Sequence, residues 1–142
     1  RMEDSGMKQY FPRMTLAVSG ILLLFIGGSV LFNPVGFAAA NGVDLEALPN
    51  ALSEYRAPGG MLFASAVLML LATVQTRFVK SGLSLAALIY LSYGGARMLG
   101  VLFDGMPSAT LTQAMFIELL VGAICLATVL WVQHLGTDPS TR

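Results

Sequence analysis

Charge is what this sequence has least of. Its 142 residues carry eight lysines and arginines against eight aspartates and glutamates. That balance leaves no basic surface for nucleic acid and no polybasic tail for anionic lipid. There is one histidine and one cysteine. Cys125 therefore has no partner for an intrachain disulfide, and no cluster of histidine, cysteine and carboxylate has metal-ligand spacing, so neither a metal nor another cofactor is expected. No serine sits in a nucleophile motif. Internal repeats, low-complexity stretches and the inverted symmetry of many secondary transporters are also missing.

What remains is apolar. Hydrophobic residues make up 56% of the chain and mean hydropathy is +0.74, more than a soluble fold can bury, which makes this an integral membrane protein in contact with a lipid bilayer. Four apolar runs have the length of a membrane crossing: about Met14 to Phe32, Gly59 to Thr76, Leu83 to Phe103 and Leu111 to Val132. The expected fold is all-α, a four-transmembrane-helix bundle over residues 14–132, with an N-terminal segment 1–13 and a C-terminal tail 133–142. Four spans leave no room for a separate catalytic domain and put both termini on one side. Asn33-Pro34 closes the first run, because proline cannot continue a helix. That run is too long for a signal peptide, and Phe32-Asn33-Pro34 is a poor cleavage site. Arg1 to Gly6 reads like an expression scar ahead of a start at Met7-Lys8-Gln9.

Lysine and arginine in short loops concentrate on the cytoplasmic side. Lys8 and Arg13 precede the first span, and Arg77 and Lys80 lie between the second and third. The connection of residues 33–58 carries Asp44, Glu46 and Glu54 against Arg56 alone. Both termini are thus expected in the cytoplasm. In the outer connection Leu45, Leu48, Leu52 and Tyr55 recur at helical spacing, which suits a short amphipathic helix on the outer surface that Pro49 starts or breaks. An irregular loop with chance leucines reads equally well.

The third span contains Arg97 within an apolar helix, a costly placement unless the side chain faces the bundle and finds a partner. At about 100° per residue, Tyr90, Tyr93, Arg97, Gly100 and Asp104 share one narrow stripe. The fourth span offers Glu118 at matching depth, on the face of the small residues Ala114, Gly122 and Cys125, which let another backbone approach. An Arg97–Glu118 ion pair follows. With Glu54, Arg56 and Asp104 it would make an outward-facing polar cluster, in which Arg56, Tyr93, Arg97, Asp104 and Glu118 are the candidate ligand-binding residues. Each has a plainer role open to it. The pair could only fix helix register. Asp104-Gly105-Met106-Pro107-Ser108 suits a turn, Glu54 and Arg56 suit the headgroup level, and Tyr90 and Tyr93 suit packing. His134, beside Trp131, suits an interfacial anchor.

The stretches Arg56-Ala57-Pro58-Gly59-Gly60, Gly94-Gly95-Ala96-Arg97-Met98-Leu99-Gly100 and Asp104-Gly105-Met106-Pro107-Ser108, followed by Glu118, resemble an uncharacterised family of small bacterial four-helix membrane proteins. That family is catalogued only as a domain of unknown function and is loosely similar to the DoxX-like membrane proteins. The resemblance covers about Met14 to Val132. It implies a bundle in the bacterial inner membrane and supplies no substrate or catalytic residue.

Three classes of function stay open. The first is a binding or accessory protein whose outer cluster holds a lipid headgroup, a small polar or anionic molecule, or another membrane protein. The second is a small transporter or channel, which would need to be a homo-oligomer because one four-helix protomer has little interior. The third is a membrane enzyme using Glu118 as acid or base and Arg97 as electrostatic stabiliser.

Overall fold

Prolines and turn glycines set the helix ends. In the computed structural model, which describes residues 2–137 and the side chains of residues 10–134, helix α1 (Met2–Phe32) stops at Asn33-Pro34. Asn33 then caps α2 (Pro34–Ala40), its side-chain oxygen accepting from Gly36 N at 3.2 Å, while Pro34 takes the first helical position where its missing N–H costs nothing. Gly42, at φ 75°, turns the chain out of α2. Helix α3 (Pro49–Val74) again opens on a proline. Gln75 alone, in extended conformation, separates it from α4 (Thr76–Asp104). Gly105, at φ 94°, ends α4, and α5 (Ala109–Thr137) follows. Ser108 fastens that last corner: its Oγ accepts from Leu111 N and donates to the carbonyl of Asn41.

Four of these helices, α1, α3, α4 and α5, are long and apolar enough to cross a membrane. At about 1.5 Å per residue, even the 23-residue span Tyr10–Phe32 exceeds a hydrocarbon core of about 30 Å. They run alternately up and down. One end of the bundle holds the starts of α1 and α4, where Arg13 donates to Thr76 Oγ1 and Phe11 packs edge-on against Trp131. The opposite, loop end holds α2, the 41–48 segment and the 105–108 corner. α1 packs chiefly on α3, and α4 on α5. Leu16, Met69, Leu83, Tyr90 and Cys125 fill the core, whereas Phe25, Leu71, Leu102 and Phe116 stand exposed on the outer face. A surface so greasy belongs in lipid. The chain is a multi-pass membrane protein.

Two details differ from the sequence expectation. The short helix of the first connection is Pro34–Ala40, and the segment 43–48 is not helical. Leu52 and Tyr55 instead belong to the first turns of α3, which starts at Pro49 and runs straight through Pro58. A proline at the start of a helix loses no bond, so Pro49 nucleates α3 some ten residues before the apolar run begins. At the other end, α1 continues unbroken through residues 2–13. Of the expected C-terminal tail, residues 138–142 lie outside the described residues, as does Arg1 of the supposed scar.

Candidate functional site

Helical spacing brings Tyr90, Tyr93 and Arg97 to one side of α4, and the contact between α4 and α5 decides what they meet. A Cβ on Gly94 would fall 2.7 Å from Leu119 Cγ, and one on Gly122 equally close to Leu91 Cγ. Glycine at these two positions lets the helices approach closely in one antiparallel register. The same register sets Arg97 opposite Glu118. Arg97 Nε donates to Glu118 Oε2 at 2.9 Å, and the carboxylate is buried while the guanidinium is partly open. This is a side-on pairing. The two terminal guanidinium nitrogens make no hydrogen bond to any described residue.

The pair faces a cavity of about 180 Å³ in the loop half of the bundle. One ordered water needs only about 10–15 Å³ of such space, so there is room for a polar group of several atoms. Its inner walls are apolar, from Leu23, Ile26, Val30, Leu62 and Ile89. Toward the loop end it is lined by Phe37 of α2 and by Glu54, Tyr55 and Pro58 of α3, while Tyr93 lies one turn deeper than Arg97 on α4. Pro58 has no N–H to offer the carbonyl of Glu54 one turn earlier, so an acceptor is released beside the Glu54 carboxylate.

The cavity ends at Tyr90. Its hydroxyl donates to the carbonyl of Ser19 at 2.8 Å. Ser19 Oγ lies 3.2 Å from Cys125 Sγ and donates to the carbonyl of Thr15. Three helices are tied together there by buried polar contacts, and Cys125 is fully enclosed.

Of the five residues singled out in the sequence, Tyr93, Arg97 and Glu118 line this cavity. Asp104 does not. It is exposed and shares a separate shallow depression with Arg97, Gly100 and Pro107. Arg56 is exposed and lines neither of these two depressions. Glu54, the other charge expected in the cluster, does line the cavity, and the structure adds Tyr55, Phe37 and the sealing contact of Tyr90 with Ser19. Among the described residues no three histidine, cysteine or carboxylate side chains gather as metal ligands. The site offers one ion pair with spare donors, a carboxylate and aromatic rings.

A model of the family described as a domain of unknown function, DUF4345, matches residues 11–129, a stretch that takes in most of each of the four long helices. No curated protein and no solved structure matches the chain.

Proposed function

The chain belongs to the DUF4345 family, and from its own geometry we propose that it is a membrane-embedded binding protein whose loop-end cavity holds the polar head of a small molecule or lipid. The observation that carries this reading is the side-on Arg97–Glu118 pair, which leaves the terminal guanidinium donors unbonded at a cavity with room for a ligand. Those donors belong to a side chain that stays 30% exposed, so they are open to a polar group entering the cavity. The seal at Tyr90, Ser19 and Cys125 favours binding over conduction, since it closes the cavity within a single protomer. A partner membrane protein docking at the same end is the competing occupant.

Native mass spectrometry of the purified chain tests the reading. Wild type is expected to carry a retained small molecule or lipid, which is lost when Arg97→Gln and Glu118→Gln are combined. The double change is chosen because it strands no buried charge. Arg77→Gln, at the opposite end, should keep the ligand. Loss of a co-purifying membrane protein in place of a small molecule would move the reading to partner docking. If wild type carries neither, the cavity is not a binding site.

We further propose that the loop end faces outward from the inner membrane, with both helical termini in the cytoplasm. Arg13, Arg77 and Lys80 lie at one end of the bundle and Asp44, Glu46, Glu54 and Asp104 at the other, where, among the described residues, Arg56 is the one arginine beyond the paired Arg97. Cysteine labelling in intact cells decides it, because native Cys125 is buried and silent. An exposed cysteine introduced by Asp44→Cys should react with a membrane-impermeant maleimide, and one introduced by Gln75→Cys should react only after permeabilisation. The reverse pattern inverts the orientation.

A further inference from the structure

We infer that the ligand of this cavity is a zwitterion, with an oxyanion held by Arg97 and an ammonium held near Glu54, an inference that rests on the binding reading above. The charge inventory comes first. Glu118 already balances Arg97 at 2.9 Å, and the remaining charge lining the cavity is the carboxylate of Glu54. Arg56, which would have made the site basic, lines no part of it. A purely anionic ligand would therefore enter a site whose surplus charge is negative. It would still find the free ends of the Arg97 fork, whose planar donors match a phosphate or carboxylate.

The loop end of the cavity has the opposite preference. Phe37 and Tyr55 line it together with Glu54, and aromatic rings beside a carboxylate are the chemistry that recognises an ammonium. The carbonyl of Glu54, left without a helical donor by Pro58, adds an acceptor. Acceptors and aromatic rings thus lie toward the mouth and donors at Arg97. The apolar inner wall of Leu23, Ile26, Val30 and Leu62 suits a hydrocarbon portion. A phosphate ester bearing a primary amine meets all three demands, either as the headgroup of a lipid or as the free phosphoamine.

The test uses the full chain, stripped of lipid by detergent exchange and offered equal amounts of phosphatidylethanolamine and phosphatidylglycerol, with adducts counted by native mass spectrometry. Wild type should prefer phosphatidylethanolamine by about tenfold, the ratio of a single well-placed ionic contact. Glu54→Gln, an exposed change that does not threaten folding, should bring that ratio close to one. The combined Arg97→Gln and Glu118→Gln variant should lose both lipids, and Arg77→Gln should match wild type. Displacement of the lipid by millimolar phosphoethanolamine would identify the headgroup alone as sufficient. Retention against it would identify the lipid as the ligand. Equal or greater retention of phosphatidylglycerol by wild type, or a ratio unmoved by Glu54→Gln, overturns the zwitterion and leaves binding intact. Failure to retain either lipid or phosphoethanolamine, or retention unchanged in the double variant, overturns the binding reading itself.

Discussion

Arg97→Met is expected to cost the bundle the most of any single substitution at the site. Removing one member of a buried ion pair strands the other, a loss of about 3–5 kcal/mol in water-soluble proteins, with the bilayer drawing the figure toward its lower end. The two halves of the pair are not equivalent. Glu118 keeps 11% of its side chain exposed and Arg97 30%, so an abandoned Glu118 is held among apolar neighbours, whereas an abandoned Arg97 can extend toward the loop end. Glu118→Leu should accordingly cost less than Arg97→Met. Combining Arg97→Met with Glu118→Leu should recover most of the loss, because two apolar side chains then fill the space without a stranded charge. Reversible unfolding in bicelles or detergent, run as a double-mutant cycle, measures all three values. A silent Arg97→Met would mean that the pair contributes nothing to stability.

How far the sequence carries can be read from particular residues. The four long helices are legible because a bilayer demands runs of about twenty apolar residues, and composition alone reveals them. The Arg97–Glu118 pair is legible for a related reason: charges at equal depth on neighbouring antiparallel helices have few other partners. The cavity mouth is not legible in the same way. Read as a loop, residues 54–56 let Glu54 and Arg56 converge on one site. Once α3 starts at Pro49, those residues lie on a helix, and two positions along a helix are about 200° apart. Glu54 then lines the cavity and Arg56 is turned away. Phe37 reaches the site because α2 forms beside Asn33 and folds over the bundle end, a consequence of capping and of Gly42 that hydropathy does not register. The partner of Tyr90 is invisible for a different reason. It is a main-chain carbonyl, at Ser19, and a carbonyl leaves no mark in the identity of its residue.

The helix contact that supports the cavity yields the remaining large effect. Gly27 of α1 faces Leu62 and Phe63 of α3 so closely that a Cβ there would lie 2.5 Å from Phe63 N and 2.9 Å from the Leu62 carbonyl carbon. Gly59 answers from the other side, where a Cβ would meet Leu31 N at 2.8 Å. The obstructing atoms are backbone, so no rotamer change can make room. Alanine at position 27 must push α1 and α3 apart along the most extensive helix contact in the molecule. In a bilayer that contact depends on close packing, since lipid tails are as apolar as leucine and supply no hydrophobic drive between helices. Gly27→Ala should therefore destabilise by about 1–3 kcal/mol, the usual cost of overpacking, and Gly27→Val by more. Gly95 is the internal control. It lies in a helix with nothing within 4 Å of its would-be Cβ, so Gly95→Ala should be neutral or slightly stabilising through helix propensity. Because Val30 and Leu62 lie next to this contact and also line the cavity, Gly27→Ala should weaken ligand retention as it lowers stability, with Arg97 and Glu118 untouched. Equal melting of the Gly27→Ala and Gly95→Ala variants would show that α1 and α3 do not meet at this distance.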